Sequence, residues 1–231
     1  MRRNAATGSL QNPEDHGMQE LKTAINIAIK THGKKKDDVG VAYIWHPFAV
    51  ATYCIDERAK ITAILHDVIE CSPITLDDLR AAGIGEDVVE AVGCLTQRKW
   101  PYGSMFNRWE EPMFAMSVDQ VTFEPLEGER ERVQKAYQEH DLAELTRYYK
   151  NIASNDIAIE VKLADLRDSG DVTRFPKDQQ ERAEACAKKC QERRELLLKI
   201  VATMTPEEKE KQLEALRKQQ KRSADHLKGG K

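Results

Sequence analysis

The run Ala59-Lys60-Ile61-Thr62-Ala63-Ile64-Leu65-His66-Asp67-Val68-Ile69-Glu70 is apolar nearly all round after Lys60, the pattern of a helix buried on every side. Yet it carries an imidazole and two carboxylates. Charged groups seldom enter a core unless they are paired or hold a metal ion. Helical spacing lets His66, Asp67 and Glu70 project from one side of the helix. An imidazole beside a carboxylate is a ligand pair suited to Mn²⁺, Fe²⁺, Zn²⁺ or Mg²⁺. A buried His–Asp hydrogen bond, with no metal, satisfies the same dipeptide. A second buried carboxylate is expected at Asp165, which follows Ile157 and Val161 on the apolar stripe of its helix. A carboxylate there needs a cation, either a metal ion or the Arg or Lys of a buried salt bridge.

The elements that must position these groups are helical; no convincing period-2 strand pattern occurs. Asn12-Pro13 supplies an N-cap and a first-turn proline. Leu21, Ala24, Ile25, Ala28 and Ile29 then mark one face of a helix that ends near Gly33. After a polar loop from Lys34 to Gly40, a helix starts at His46-Pro47, and Asp56 caps another that runs through Glu70. Thr75 and Asp78 form a capping pattern ahead of a short helix stopped by Gly83, and Val88, Val89, Val92 and Leu95 mark the next. Further helices are expected at about 136–153, 155–168 and 177–202, with Thr205-Pro206 and Glu208 opening a charged one at the C-terminus. The stretch from Trp100 to Glu131, with Pro101, Pro112, Pro125 and the aromatics Phe106, Trp109, Phe114 and Phe123, reads as a long loop or lid.

The chain has 231 residues, 32% charged and 40% hydrophobic, enough for one domain with a substantial core. Its net charge of −3 gives no global pull toward nucleic acid or anionic membrane, and no nucleic-acid partner is expected. No apolar run approaches the roughly 20 residues of a membrane span. Arg2 and Arg3 precede no apolar stretch, so no secretion signal is expected. Five cysteines without framework spacing fit a reducing compartment, and a cytoplasmic protein is expected. Cys186 and Cys190 lie one turn apart, but nothing completes a zinc set around them. The sequence leaves the oligomeric state open.

Four segments, taken in order, resemble the signatures of HD-superfamily hydrolases. They are the loop Thr31-His32-Gly33-Lys34-Lys35-Lys36-Asp37, then Tyr43-Ile44-Trp45-His46-Pro47, then Leu65 through Glu70, and finally Lys162-Leu163-Ala164-Asp165. More narrowly, they are similar to the hydrolase domain of RelA/SpoT proteins and to stand-alone small alarmone hydrolases, over about Leu21–Arg174. The resemblance implies an all-α HD-domain bundle over 13–203, with 100–131 as an insertion and 204–231 as a charged helical tail. It implies that His46, His66, Asp67 and Asp165 hold a divalent ion, usually Mn²⁺. It implies that Glu70 orients or deprotonates a water, and that Lys35 and Lys36 lie near the phosphates or base of a small-molecule nucleotide.

The implied reaction is hydrolysis of a phosphate or pyrophosphate ester, with (p)ppGpp 3′-pyrophosphate the first candidate. Another nucleotide phosphate is the nearest alternative, and a weakly catalytic nucleotide sensor is the alternative of a different class. Two departures bear on that choice. The family carries an acid after the glutamate where this chain has Cys71, and an asparagine where it has Ser169, preceded by Asp168. Asp168 and Ser169 therefore fall where the family holds the sugar or base of its substrate.

Overall fold

Asp56 caps the helix around which the rest of the fold is built. Its carboxylate accepts hydrogen bonds from the amides of Arg58 at 2.8 Å and Ala59 at 3.1 Å, satisfying two orphan donors of the first turn. In the computed structural model, which describes residues 13–97 and 128–229, the described residues form an all-α bundle. Its helices are α1 (Pro13–His32), α2 (Trp45–Tyr53), α3 (Glu57–Leu65), α4 (Val68–Cys71) and α5 (Leu76–Ala81). They continue as α6 (Glu86–Leu95), α7 (Glu129–Ala153), α8 (Asp156–Ser169), α9 (Gln180–Thr203) and α10 (Pro206–Gly229). Short 3-10 turns at Val172–Arg174 and Lys177–Gln179 lead from α8 into α9. An isolated bridge between Lys36 and Ala42 closes the loop ahead of α2. None of the described helices is long and apolar enough to cross a membrane.

The central helix, α3, packs against α1, α2, α6 and α8. Its Ala59 and Ala63 join one apolar cluster with Val50, Tyr149, Ile152, Val161 and Leu197. Its Ile61, Ile64 and Leu65 join a second with Ala24, Ala28, Leu79, Val88 and Val92. Burial of a side chain such as Leu65 contributes about 1.5–3 kcal/mol. The all-round apolar pattern of this segment is thus explained by a helix enclosed between two cores.

The sequence pattern predicts one helix from Asp56 through Glu70, but the structure interrupts it at His66 and Asp67. The reason is local. His66 Nδ1 lies 2.7 Å from the Ala63 carbonyl oxygen, so the imidazole competes for the carbonyl that the Asp67 amide would use in an unbroken helix. Asp67 takes φ −98° and ψ −2°, and α4 restarts after it. On α1 the buried line runs through Glu20, Ala24, Ala28 and His32, while Ile29 is 50% exposed, so the stripe lies slightly to one side of the expected face. The expected lid over 100–131 falls mostly outside the described residues. Only its end is seen, where Gly128, at φ +79°, precedes a helix that begins at Glu129 rather than near Ala136.

The Thr75–Asp78 capping box and the stop at Gly83, φ +88°, are both present. The charged C-terminal helix opens on a similar reciprocal pair. Thr205 N donates to Glu208 Oε2 at 2.9 Å, and Glu208 N donates to Thr205 Oγ1 at 3.2 Å. This helix docks on the body: Leu213 and Leu216 are buried in the first apolar cluster, and Gln212 Nε2 donates to Asn151 Oδ1 at 2.7 Å.

Glu20 is the buried charge of α1, and Arg58 of α3 answers it. Arg58 Nη2 donates to Glu20 Oε1 at 3.0 Å, its Nε donates to Asp87 Oδ2 at 2.6 Å, and Gly85 N donates to Glu20 Oε1 at 2.8 Å. The three partners tie α1, the start of α3 and the start of α6 together. Removing one member of a buried pair leaves the other uncompensated, so Glu20→Ala should cost about 3 kcal/mol, the low end of the usual range because Arg58 keeps Asp87. Urea unfolding tests this; a midpoint unchanged from wild type would show that the clamp contributes nothing net.

Candidate metal centre

Three segments bring their polar side chains to one place: the first turn of α2, the turn between α3 and α4, and the last half of α8. The loop ahead of α2 is shaped by Asp37, whose Oδ1 accepts from Val39 N at 3.1 Å and Val41 N at 2.8 Å. Burial works against ionisation of Asp37, yet these amides and the Arg174 guanidinium hold its carboxyl below the usual range. The loop delivers Tyr43 and then His46, whose imidazole is buried.

Hydrogen bonding sets the tautomer at both histidines. His66 Nδ1 faces a carbonyl oxygen, which can only accept, so Nδ1 donates and Nε2 keeps its lone pair when the ring is neutral. His46 Nδ1 lies 2.8 Å from Asp168 Oδ2, and the same reasoning leaves its Nε2 as the inward atom. That second partner, a carboxylate or carbonyl behind the ring, is what metal-ligating histidines regularly have. Ligand atoms of His46, His66 and Asp165 lie within 4.8 Å of one another. Asp67 adds Oδ2, at 3.3 Å from His66 Nε2 and 3.9 Å from His46 Nε2.

The electrostatics favour a cation at this point. Burial opposes charge on His46, but the carboxylates of Asp165 and Asp168 outweigh it and lift the imidazole to about 9. Burial likewise opposes ionisation of Asp67, while the His66 imidazole and the Tyr43 hydroxyl hold its carboxyl low. Asp165 is held well below the ordinary range against the same desolvation, chiefly by Lys162 and then His46. Two nitrogen donors, a buried ionised carboxylate and the half-buried one of Asp67 suit a divalent ion of the borderline kind. The metal-free reading of Asp165 also has a basis, since Lys162 Nζ donates to its Oδ2 at 2.7 Å. The two readings use different oxygens: Oδ1 faces His46 Nε2 at 3.3 Å.

Glu70, on α4, stands beside this cluster. Its Oε1 accepts from Gln97 N at 2.5 Å. Burial raises its carboxyl pKa, and the negative charge of Asp67 adds to the rise. A carboxyl displaced upward, next to donors for a cation, takes a proton more readily than an ordinary carboxylate. Lys35 Nζ donates to the Cys71 carbonyl at 2.6 Å, which places that ammonium at the end of the Glu70 helix, while Lys36 is exposed.

Asp168 and Ser169, assigned by the resemblance to substrate, are engaged with the ligand set. Asp168 is 5% exposed and is shared between His46 Nδ1 and Arg174 Nη1, the latter at 2.7 Å. Ser169 Oγ donates to Asp165 Oδ1 at 3.2 Å. Sequence reasoning gave no role to Tyr43, whose hydroxyl donates to Asp67 Oδ2, or to Arg174, which also donates to Asp37 Oδ2 at 3.1 Å. Tyr43 stands in the same motif as His46, so its signal was present. Arg174 lies in a turn with no periodicity to mark it. His32 is buried against the Tyr43 ring at 5.1 Å between centroids, and burial pulls its pKa down to about 4. Tyr149 is core, whereas Tyr148 lies under Lys162, with 5.5 Å from Nζ to the ring centre.

Over 84 residues the chain is 36% identical to the bifunctional (p)ppGpp synthase/hydrolase SpoT of Escherichia coli. The same identity over the same length relates it to the guanosine-3′,5′-bis(diphosphate) 3′-pyrophosphohydrolase of Shigella flexneri. The match covers 35% of this chain and 12% of each of these relatives. No family model matches the chain.

Proposed function

We propose that this chain is a metal-dependent phosphohydrolase of the HD type that acts on a nucleotide, with guanosine 3′,5′-bis(diphosphate) as the first substrate to test. The observation that carries the proposal is the meeting of two inward Nε2 atoms with Asp67 and Asp165 beside the raised carboxyl of Glu70. The partial likeness to the (p)ppGpp hydrolases supports the choice of substrate class.

In this reading His46, His66, Asp67 and Asp165 hold the ion, with Mn²⁺ the first candidate. A divalent ion supplies a Lewis acid for a phosphoryl oxygen and a source of hydroxide near neutral pH. Glu70 receives the proton of the attacking water. Lys35 and Lys36 attract the phosphates as point charges. Asp168 fixes the His46 ring and Ser169 fixes Asp165, so both act through the ligands. A phosphate- and pyrophosphate-release screen over a nucleotide panel with added Mn²⁺ tests the proposal. Release from no member of the panel would refute it.

Cys71 favours a second reading, a nucleotide sensor with weak turnover. A thiol is a poor acceptor for a water hydrogen bond compared with a carboxylate. If the site is hydrolytic, Cys71→Asp should raise pyrophosphate release from guanosine 3′,5′-bis(diphosphate), measured at saturating Mn²⁺. Binding of that nucleotide with no release by either form would favour the sensor. Turnover of a different nucleotide alone would keep the hydrolase and discard this substrate.

A further inference from the structure

Lys162 carries a half-buried ammonium that the hydrolytic scheme does not use. Its Nζ is 2.7 Å from Asp165 Oδ2, and the side chains are 17% and 11% exposed. The Tyr148 ring backs the ammonium at 5.5 Å, and Tyr148 is itself anchored by its hydroxyl donating to the Leu95 carbonyl at 2.7 Å. On the other side of the carboxylate, Oδ1 accepts from Ser169 Oγ at 3.2 Å and faces His46 Nε2 at 3.3 Å. The two oxygens are therefore unequal: one looks into the ligand cluster and the other is committed to a cation of the protein.

We propose that Lys162 is a positioning residue that sets ion selectivity by restricting Asp165 to one ligand oxygen. The proposal rests on the metal-centre reading above. Ca²⁺ takes six to eight oxygen ligands and readily uses both oxygens of a carboxylate, whereas Mg²⁺ demands a tight octahedron and Mn²⁺ is satisfied by six-coordinate sites. A carboxylate with one oxygen held by an ammonium suits the smaller shell and discriminates against the larger one. The charge of Lys162 also weakens the site for every divalent ion. Its loss therefore has a signature that simple damage to the fold lacks, because affinity should rise and should rise most for Ca²⁺.

The test is titration of the full chain with Mn²⁺ and with Ca²⁺ by calorimetry, for wild type, Lys162→Met and Lys162→Arg. Wild type should prefer Mn²⁺. In Lys162→Met the Mn²⁺-over-Ca²⁺ preference should narrow by about tenfold, the scale on which groups behind a ligand tune metal sites. Lys162→Arg, which keeps a cation for Oδ2, should stay near the wild-type ratio. An unchanged ratio in Lys162→Met, or equal weakening of both ions, would overturn the inference and leave the metal centre standing. Should Lys162→Met fail to fold, a crystal structure of the wild type with Mn²⁺ decides the matter. Asp165 bound through one oxygen with Lys162 on the other supports the inference, and a bidentate Asp165 overturns it. A wild type that binds neither ion would overturn this inference and the metal-centre reading together.

Discussion

Glu70→Gln should leave divalent-ion affinity near that of the wild type while turnover falls by roughly 10²–10⁴, the usual contribution of a positioned general base. The substitution keeps the shape of the side chain and a carbonyl oxygen that can still accept from Gln97 N, now 2.5 Å from Oε1. It removes the property the proposed base would use, an ionisable oxygen whose proton affinity has been raised by burial. The amide cannot take a proton from water at neutral pH. Steady-state rates and metal content measured on one preparation separate the outcomes. Full activity would remove Glu70 from the chemistry, and loss of the ion would make it a ligand.

Asp165→Ala should abolish metal binding and activity and should also destabilise the fold by about 3–5 kcal/mol, because it strands a buried cation. The two losses have separate causes. Oδ1 is the oxygen that faces His46 Nε2 at 3.3 Å, so its removal takes a ligand from the cluster. Oδ2 is the partner of Lys162 at 2.7 Å. Asp165→Asn separates these effects. It keeps an oxygen acceptor for Lys162 and so should recover part of the stability, but a neutral amide is a weak ligand and metal affinity should remain low. Chemical denaturation and metal titration of both variants provide the check. Retention of wild-type metal affinity by Asp165→Ala would exclude Asp165 from the ligand set.

Much of the helical architecture was legible because apolar spacing and capping residues act locally. Asp56, Thr75 with Asp78, Asn155 and Gly83 each mark a helix boundary by chemistry that needs only near neighbours. The break at His66 was not legible, because it arises from an imidazole turning back on the Ala63 carbonyl in a segment whose composition favours helix throughout. The candidate site could be picked out by its residue types. Buried His66 and Asp165, with half-buried Asp67, conflicted with their apolar surroundings, and such conflicts gather at functional positions. Pairing was harder to read. Lys162 stands three residues before Asp165 and was foreseeable as a salt-bridge partner, whereas the meeting of Asp168 with His46 and Arg174 depends on how α8 crosses α2.

The helix that ends at His66 belongs to both apolar clusters, while the loop that carries Lys34, Lys35 and Lys36 lies outside them and is held by backbone hydrogen bonds around the Lys36–Ala42 bridge, the Asp37 turn and a few side-chain contacts. Their opening free energies must therefore differ. Amides of α3 become exposed to exchange only when both clusters separate, which approaches global unfolding, whereas the lysine loop can open by releasing a handful of bonds. On the proposed reading, His66 and Asp67 are accordingly tied to a strongly protected element, and Lys35 and Lys36 to one that opens more readily. Substrate phosphates would, on that reading, meet the element that opens more readily, whereas His66 and Asp67 would keep their place at the end of α3.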